Sequence, residues 1–347
     1  MSRPLSLWLV GATGLALALE LLFRVLPVSS STETAYYADP LILNYPPHHR
    51  WTTSTGWDLR NAQTLEANNL GYVASRDFER NEQAVALIGD SFVEASMLAT
   101  TDRPGAQLER ALGSRPVFAM GAPGTALLDY GERIRFAHMQ FGVRDFVVVM
   151  ERGDVEQSLC GSANTHGPCL DPRTFAPRVE TLAPPGIEKR IFRHSALAQY
   201  LVSQLKFSPR KLREQAFPAI KAVTASSPDT RRGSLAVPAE DPKAFVDNVT
   251  NTFFDRIKNH VTGKLVIVID CDRSALYRGQ LKRDASRDRF IQLARAAGAI
   301  VIDTEPLFKA HLAASSLKLD VGPYDGHFNA LGVKLVTRAA ADALTHP

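Results

Sequence analysis

From Ala84 to the C-terminus, short apolar runs rich in β-branched residues alternate with longer stretches of helical periodicity. These runs are apolar at consecutive positions, which is typical of strands buried on both faces of a parallel sheet. The predicted strands are 84–88, 116–120, 145–150, 264–269 and 299–302. Alternation of strands with helices predicts a three-layer α/β/α fold around a parallel five-stranded sheet.

Helical stretches occupy the intervals between those strands. They are predicted at 103–112, 126–141, 245–261 and 284–297, with a closing helix at 330–344. Right-handed crossovers of this kind bring the C-terminal ends of parallel strands to one edge of the sheet, where ligands bind. Functional residues are therefore expected in the turns that directly follow the strands.

The N-terminus carries a different signal, because Leu5 to Leu19 contains no charged residue. Extended to Val28, this segment is long enough to cross a hydrocarbon core of about 30 Å as a helix. Glu20 and Arg24 are spaced to pair on one helix face near the membrane surface. No small-residue cleavage site precedes "VSSSTETA", so 1–28 is predicted to be an uncleaved signal-anchor transmembrane helix rather than a removed signal peptide. A buried core helix remains the alternative.

Composition divides the chain into three predicted parts. After the anchor, 29–81 is polar and rich in turn residues, and we interpret it as a stalk and lead-in segment. The main domain is predicted at 82–347. Within that domain, 155–234 interrupts the strand–helix alternation and includes an amphipathic helix at 187–205. An insertion of this size over the strand ends is expected to shape a binding face.

Two cysteines bracket the loop "CGSANTHGPC", which can close as a disulfide between Cys160 and Cys169 in an oxidising compartment. Cys271 would then be unpaired. His166 lies between the two cysteines, but no second pair of Cys or His residues has suitable spacing nearby, so we expect no metal site.

Other sequence features argue against several function classes. The 347 residues carry 40 basic and 36 acidic side chains, and the chain has no dense Lys/Arg block with aromatic residues interleaved. This composition argues against nucleic acid as a partner. The chain has no Gly-x4-Gly-Lys-Ser/Thr loop and no Gly-x-Gly-x-x-Gly after the first strand. Nucleotide and nicotinamide cofactors would lack their backbone cradle, and we expect no cofactor.

Polar residues follow the predicted strands at the edge where ligands bind. The first strand ends in Gly-Asp-Ser at 89–91, the second in "GAPGT" and the third in "ERGD". Before the last helix lies "DGHFNALG", which offers Asp325 and His327. A hydroxyl nucleophile, an imidazole base, a carboxylate that orients the base and amide donors for an oxyanion are the groups that acyl transfer needs.

With "IGDSFVEA" after the first strand and "DGHFNALG" before the terminal helix, the chain resembles the SGNH (GDSL-type) hydrolase superfamily, whose fold is flavodoxin-like. The resemblance covers Ala84 to the C-terminus apart from the insertion. It implies that Ser91 is the nucleophile, His327 the general base and Asp325 the residue that fixes the imidazole tautomer. It also implies that the amides of Ser91 and Gly124 bind the oxyanion.

Two departures from the family pattern affect the site. The third family block carries an Asn that donates its side-chain amide to the oxyanion, whereas this chain has Gly153 in "ERGD". Arg152 is the predicted replacement, because a guanidinium offers several donors. A salt bridge with Glu151 in a purely structural turn is the alternative. The single residue between Asp325 and His327 is similar to membrane-anchored members that act on exported polysaccharides, including alginate O-acetyltransferase-like proteins.

The resemblance implies a membrane-anchored serine esterase or O-acyltransferase, in which Ser91 carries an acyl group from an acylated glycan or small ester to water or a sugar hydroxyl. It implies a single-pass protein of a bacterial-type inner membrane whose catalytic domain faces the periplasm or the exterior. A multi-span membrane acyltransferase is the expected protein partner. The alternatives are a catalytically impaired scaffold or glycan-binding subunit, which the missing Asn motivates, and a lipase or thioesterase.

Each site residue also has a structural interpretation. Ser91 is a preferred helix N-cap, and the helix predicted near Phe92 needs one. Asp-Gly is a turn signal, so Asp325 and His327 would then lie in an exposed turn. Asp90 is expected to support its turn by hydrogen bonding.

Overall fold

A computed structural model describes most of the chain. Its described residues are 3–30, 32–162, 167–182, 186–187, 192–205 and 242–346. His166 and much of the predicted insertion 155–234 lie outside the described residues.

The N-terminal segment forms a long helix, α1 (Arg3–Val25). Its stretch Ser6–Val25 has a mean hydropathy of 1.8 and is exposed along most of its length. Within the described residues, it is the one helix long and apolar enough to be a membrane span or a signal sequence. The predicted ion pair is confirmed, since Arg24 Nε lies 2.8 Å from Glu20 Oε1.

Four short strands follow α1. β1 (Ala35–Asp39) pairs antiparallel with β2 (Ile42–Asn44), and β3 (Arg50–Thr55) pairs with β4 (Arg60–Glu66). The predicted stalk region 29–81 therefore contains paired strands. Most side chains of β1, β3 and β4 are exposed or half-buried without regular alternation, which leaves no strand signal in the sequence.

The remaining strands and helices build the larger part of the molecule. The strands are β5 (Val85–Gly89), β6 (Val117–Gly121), β7 (Asp145–Met150), β8 (Pro168–Leu170), β9 (Pro177–Val179), β10 (Leu265–Ile269) and β11 (Ile300–Asp303). The helices are α2 (Ser91–Glu94), α3 (Pro104–Ala111), α4 (Leu127–Phe141), α5 (Asp154–Gln157), α6 (Ala196–Gln199), α7 (Pro242–Ile257), α8 (Arg273–Tyr277), α9 (Ala285–Ala296), α10 (Thr304–Ala314) and α11 (Ala330–Thr345).

The central sheet has five strands in the order β11-β10-β7-β5-β6, and every pair is parallel. Each strand begins at the predicted residue or one residue later, so the predicted three-layer fold is confirmed. In chain order the arrangement is the flavodoxin-like 2-1-3-4-5, whose ligand crevice lies at the C-terminal ends of the first and third strands. In this chain those strands are β5 and β7.

Helices cover both faces of the sheet. Side chains of α4, α7 and α9 pack on one face, and those of α3, α10 and α11 pack on the other. Along β10, Ile267 and Ile269 join the first core while Val266 and Val268 join the second. This alternation explains why the strands are apolar at consecutive positions.

The short helices α5 and α8 and the longer helix α10 were not predicted. Of these, α10 has eleven residues. It begins at Thr304, directly after β11 ends, and Asp303 accepts a 2.8 Å hydrogen bond from the Glu305 amide as its N-cap. Strand and helix thus share a boundary with no turn residues between them, so the apolar pattern of β11 runs directly into that of α10. Asp303 and Pro306, a preferred N-cap type and a proline in the first turn, are the start signals that could have shown the helix.

The described chain groups into two compact units. The first contains α1, most of the β3–β4 pair and the segment 192–205, in which α6 continues as a π-helical stretch, Tyr200–Gln204. The predicted amphipathic helix at 187–205 is therefore shorter within the described residues. The second unit contains the sheet, its helices, and β1 and β2. In that unit β8 and β9 pair antiparallel, and a disulfide joins Cys160 to Cys169.

Candidate active site

Ser91 stands at the C-terminal end of β5. The strand ends at Gly89, Asp90 is the N-cap of α2, and Ser91 is the first residue of that helix. Asp90 Oδ1 accepts a 2.8 Å hydrogen bond from the Phe92 amide. The alternative in which Ser91 caps this helix is therefore wrong, and the expectation that Asp90 supports the turn is confirmed.

Two glycines let α2 lie directly against the ends of the strands. A Cβ at Gly89 would lie 2.6 Å from Val93 Cγ2 on α2. A Cβ at Gly121 would lie 2.3 Å from the Glu94 amide nitrogen, also on α2. Only glycine permits such a close backbone approach. A side chain at either position would push α2, and Ser91 with it, away from the sheet.

His327 and Asp325 reach Ser91 from the loop before α11. His327 Nε2 lies 2.8 Å from Ser91 Oγ. The other ring nitrogen, Nδ1, lies 2.5 Å from Asp325 Oδ1, which also accepts the His327 backbone amide at 2.9 Å. The structure thus brings the three residues together in the order hydroxyl, imidazole, carboxylate.

Backbone hydrogen bonds hold the loop that carries His327. The Val321 amide donates to the His327 carbonyl at 2.9 Å, and the Gly322 amide donates to the Asp325 carbonyl at 2.7 Å. The Phe92 ring packs against the imidazole with 4.9 Å between ring centroids. Backbone and ring contacts together restrict the position of the imidazole.

Contact between Asp325 and His327 shifts the pKa of both groups. Burial alone would lower the pKa of His327, but the hydrogen bond and charge of Asp325, with the charge of Asp90, raise that pKa above its ordinary value of 6.5. Burial alone would raise the pKa of Asp325, but the hydrogen bond and charge of His327 lower it below its ordinary value. The carboxylate therefore stays charged at neutral pH and stabilises the protonated imidazole.

Further acidic side chains are buried along this edge of the sheet. Burial raises the pKa of Glu94 to about 7, although Tyr45 donates a 3.0 Å hydrogen bond to its carboxylate. Burial also raises the pKa of Asp90 and holds that of Asp154 well above its ordinary value. These carboxyl groups keep protons at a higher pH than surface carboxyl groups do.

The predicted oxyanion donors occupy three turns that follow strands. The Ser91 amide belongs to the first turn of α2, where amides have no partner within the helix. Gly124 has a φ of 70°, a left-handed conformation that favours glycine. Arg152 Nη1 lies 2.8 Å from Asp272 Oδ2, and its Nε lies 3.5 Å from Glu151 Oε1. Two acids thus contact the guanidinium, and the role of each donor stays a prediction.

The space beside Gly153, where the family pattern has Asn, holds a carboxylate. The Gly153 amide donates to Glu151 Oε2 at 2.6 Å, and a Cβ at Gly153 would lie 2.7 Å from the same oxygen. A longer side chain at this position would have to displace Glu151.

Arg133, a buried arginine beneath the site, was not predicted from the sequence. It lies on α4 and is 1 % exposed. Its Nη1 donates to the Gly89 carbonyl and its Nη2 to Thr125 Oγ1, each at 2.7 Å. Tyr130 on the same helix donates to Asp154 at 2.9 Å. These hydrogen bonds connect the end of β5 with the turns after β6 and β7.

Arg273, a second buried arginine, was also not predicted. It is 7 % exposed and is the first residue of α8. Its Nε donates to Asp270 at 3.0 Å and its Nη2 donates to the Gly326 carbonyl at 2.5 Å, and Nη1 contacts Asp320. The guanidinium carbon lies 4.4 Å from the centroid of the Phe328 ring. Arg273 therefore touches the loop that carries the imidazole.

A polar cleft of about 1330 Å³ opens beyond the C-terminal ends of β10 and β11. Charged side chains make up most of its lining, and no aromatic ring is among the described lining residues. Arg152 and Asp272, which contact each other, both line the cleft. The cleft therefore adjoins the turn after β7, although Ser91, Asp325 and His327 do not line it.

Among the described residues, one cluster combines three side chains of the metal-ligand type: Cys160, Cys169 and Glu180. Because a disulfide joins the two cysteines, neither offers a thiolate. The cluster therefore has the ligands of a metal site only in a reduced chain.

Known proteins were compared with this chain. No protein-family model and no curated protein matches it. Among solved structures, a lipolytic protein of the G-D-S-L family from Veillonella parvula is 12 % identical over 76 % of this chain and 99 % of its own, with a TM-score of 0.40. A catalytic mutant of an acetylxylan esterase from Geobacillus stearothermophilus is 12 % identical over 78 % and 97 %, with a TM-score of 0.40.

A third similar structure is a lipase/acylhydrolase from Enterococcus faecalis, which is 11 % identical over 76 % of this chain and 98 % of its own, with a TM-score of 0.38. Because all three TM-scores are below 0.5, these likenesses assign no activity to this chain.

Proposed function

We propose that this chain is a membrane-anchored SGNH-type serine esterase or O-acyltransferase that forms an acyl-enzyme on Ser91. One observation carries the proposal: His327 lies 2.8 Å from Ser91 Oγ and 2.5 Å from Asp325. This chemistry requires that the base lies within hydrogen-bonding distance of the nucleophile and that the orienting acid lies within hydrogen-bonding distance of the base.

In the first half-reaction, Ser91 Oγ bonds to the ester carbonyl carbon while its proton passes to His327 Nε2. The carbonyl becomes a tetrahedral oxyanion. Its collapse breaks the bond to the leaving oxygen, which takes the proton from the imidazolium and departs as an alcohol. Asp325 stabilises the imidazolium throughout, and the acyl group remains on Ser91.

In the second half-reaction, water or a sugar hydroxyl gives its proton to His327, and its oxygen bonds to the acyl carbon. The bond to Ser91 Oγ breaks and the serine recovers the proton. We propose that a hydroxyl-rich acceptor binds in the polar cleft, because charged side chains make up most of its lining and Arg152 belongs to it. We propose that the acylated substrate is a glycan, with a small ester as its simplest substitute.

The oxyanion is proposed to form near the amides of Ser91 and Gly124. One lost oxyanion donor costs about 10² to 10³ in rate. Arg152 is the proposed substitute for the missing Asn. It would donate to the substrate once a nitrogen of its guanidinium is no longer bonded to Asp272.

Anchoring through α1 is proposed to hold the enzyme in a bacterial-type inner membrane as a single-pass protein, with the second unit facing the periplasm or the exterior. The disulfide between Cys160 and Cys169 supports a location in an oxidising compartment, because such bonds form and persist there. A multi-span membrane acyltransferase is the proposed source of acyl groups, as the resemblance to membrane-anchored members of the superfamily implies.

Ser91→Ala tests the proposal. We expect it to lower turnover of a chromogenic acetyl ester by about 10³-fold or more, since no other hydroxyl replaces the nucleophile. Ser316→Ala, an exposed serine of the same unit, is the matched control and should keep full activity. Circular dichroism checks that both variants stay folded. Unchanged turnover in folded Ser91→Ala would remove Ser91 from the mechanism.

A second candidate, a catalytically impaired scaffold or glycan-binding subunit, is favoured by the contacts of Gly153 and Arg152. Glu151 fills the space beside Gly153, and Asp272 holds Arg152. A serine-directed fluorophosphonate separates the two candidates. An enzyme is labelled at Ser91 in a His327-dependent manner, whereas an inert scaffold is not labelled. A lipase would instead show activity that rises with acyl chain length.

A further inference from the structure

We propose that the first compact unit forms a collar at the membrane surface. The collar consists of Trp57, Phe192, Leu201, Val202 and Leu205, and these side chains lie among the lipid headgroups where α1 leaves the bilayer. The proposal rests on the proposed anchoring through α1, and the experiment below separates the two.

Polar contacts join the collar to the last turns of α1. The Glu20 carboxylate accepts hydrogen bonds from the Ser195 hydroxyl at 2.8 Å and from the next two backbone amides at 3.1 and 3.0 Å. The Phe23 ring stacks on Tyr200 with 4.1 Å between centroids. The segment that carries Leu201 and Val202 is therefore fixed to α1 itself.

The tip of the β3–β4 pair is joined to the same segment. Tyr200 donates to the Trp57 carbonyl at 2.9 Å, and Gln204 donates to the Gly56 carbonyl at 2.8 Å. These bonds place Trp57 beside the helical segment rather than on a free loop.

The collar side chains are apolar and face outward. Trp57 is 65 % exposed, Phe192 55 %, Val202 51 %, Leu205 39 % and Leu201 37 %. Exposed apolar side chains grouped in this way mark an interaction surface. Trp and Tyr are the residues enriched where a membrane protein meets the headgroups.

The position of Glu20 along α1 gives the depth of the collar. Glu20 precedes the end of the span at Val25 by about five residues, or roughly 7 Å of helix at about 1.5 Å per residue. Interfacial helices lie about 5–10 Å deep at the boundary of headgroups and acyl chains. At that depth the Glu20 carboxylate needs polar partners, and Ser195, two amides and Arg24 supply them.

Lipid fits this surface better than a protein partner because the segment that carries Leu201 and Val202 is bonded to the last turns of α1, the proposed membrane span. The side chains of Arg24 and Arg60 are 58 % and 55 % exposed, and they pair with Glu20 and Asp58. Interfacial segments of membrane proteins combine an apolar face with charged side chains of this kind beside it.

The test uses single cysteines that carry an environment-sensitive fluorophore in the full chain, reconstituted into phosphatidylcholine/phosphatidylglycerol vesicles. Labels replace Val202 in the collar and Val10 in the middle of α1, and vesicles without quencher give the baseline emission of each label. The parent chain without an added cysteine controls for labelling of buried Cys271. Lipids with a quencher near the headgroup or near the bilayer midplane then report depth.

We expect headgroup-level quenchers to remove most of the Val202 emission and midplane quenchers to remove most of the Val10 emission, relative to vesicles without quencher. If the Val10 emission is quenched while the Val202 emission stays at its baseline, the collar is overturned and the anchor stands. Absence of quenching at both Val10 and Val202 would overturn the anchor and the collar together.

Independent contacts support a second inference, which rests on the proposed function. We infer that Arg273 is a positioning residue that fixes the Asp325–His327 loop against the end of β10. The guanidinium of Arg273 donates hydrogen bonds to Asp270, which follows β10, and to the carbonyl of Gly326, which lies between Asp325 and His327.

The same guanidinium organises the rings around the imidazole. It lies 4.4 Å from the Phe328 centroid and 5.7 Å from the Phe92 centroid, and Phe92 in turn packs on His327. Because Arg273 offers several donors in one plane, it can hold these partners at once, whereas Lys offers a single charged nitrogen.

Arg273→Lys and Arg273→Gln test this role. Misplacement of a catalytic group by about 1 Å can cost about 10² in rate. We expect kcat for a chromogenic acetyl ester to fall about tenfold in Arg273→Lys and about 10²-fold in Arg273→Gln. KM should stay unchanged in both, because Arg273 does not contact the substrate in the proposed mechanism. Arg289→Gln, which breaks an ion pair with Asp247 on the other face of the sheet, should keep wild-type kcat.

Hydrogen exchange of the Val321 amide, which bonds the His327 carbonyl, gives a readout that does not need activity. Its exchange should rise in both variants. Wild-type kcat and unchanged Val321 exchange in Arg273→Lys, the milder variant, would overturn the inference even if Arg273→Gln does not fold. If the wild-type chain does not hydrolyse the ester, hydrogen exchange of the Val321 amide alone decides whether Arg273 positions the loop.

Discussion

In the proposed mechanism, the imidazole of His327 must be neutral to accept the proton of Ser91. Because Asp325 and Asp90 raise the pKa of His327 above 6.5, protonation removes the base at a higher pH than for a free histidine. We expect kcat/KM for an acetyl ester to fall on the acid side with a midpoint above 6.5. A pH–rate profile of the wild-type chain checks this midpoint.

Asp325→Asn tests the cause of that midpoint. Loss of the carboxylate charge should lower the pKa of His327, so the acid limb moves to lower pH, and loss of the correct tautomer should reduce kcat by about 10⁴-fold. An acid limb that stays in place in Asp325→Asn would show that Asp325 does not set the pKa of His327.

Glu94 is expected to make stability depend on pH. Burial raises its pKa from 4.5 to about 7, so the folded chain binds a proton that the unfolded chain releases. This contribution is fully present below pH 4.5 and is lost as the pH rises through about 7. The loss is at most about 3 kcal/mol.

Glu94→Gln removes the titrating group and keeps a side chain that Tyr45 can bond. We expect the variant to gain stability relative to wild type at pH 8 and not at pH 4, as measured by urea unfolding at both values. A difference between the two chains that is equal at both pH values would contradict the role of Glu94. Exposed Glu79→Gln is the control and should change neither curve.

The meeting of Ser91, Asp325 and His327 could be predicted from the sequence because each lies in a short polar motif at the boundary of a strand or a helix. Arg133 and Arg273 could not be identified in this way. Each donates to a backbone carbonyl far away in the chain, that of Gly89 for Arg133 and that of Gly326 for Arg273, and a charged residue in a helix gives no sign of which carbonyl it will meet.

At the level of elements, the five sheet strands were predictable because parallel strands are buried on both faces and read as continuous apolar runs. The half-exposed β1, β3 and β4 have no such signature, and α10 has no turn before it. Sequence periodicity thus finds elements whose burial is regular and misses those whose burial is set by tertiary contacts.

The contact between α2 and the sheet makes a prediction about Gly121. In Gly121→Ala the new methyl group would lie 2.3 Å from the Glu94 amide, so α2 must move. We expect a loss of stability of about 1–3 kcal/mol and a loss of esterase activity larger than the unfolded fraction explains. Urea unfolding and kcat measured on the same sample check both parts.

Gly186→Ala is the control for this substitution, because no atom of the described residues, its own chain neighbours apart, lies within 4 Å of the new methyl group. It should leave stability and activity unchanged. Wild-type stability and activity in Gly121→Ala would mean that the close approach of α2 to β6 is not required.

For the whole molecule, the disulfide reports the compartment in which the chain folds. In an oxidising compartment, the denatured chain should show one reactive thiol, Cys271, and three after reduction. Removing the bridge in Cys160→Ala/Cys169→Ala should cost about 2–3 kcal/mol, because the bond closes a short loop. Thiol titration and urea unfolding measure the two effects.

A chain recovered from its native host with three free thiols before reduction would contradict the proposed export. Cys271→Ala is the matched control: it should abolish the reactive thiol of the oxidised chain and leave the bridge intact.

Ser91 and His327 are 236 positions apart in the chain. When synthesis and translocation proceed from the N-terminus, Ser91 leaves the ribosome long before His327 is added to the chain. In the proposed mechanism an unfinished chain has no base and cannot cleave esters on its way through the membrane. The site would become complete only when the loop before α11 has been synthesised and has folded against the sheet. Each molecule would therefore gain ester-cleaving activity only after its own synthesis has ended.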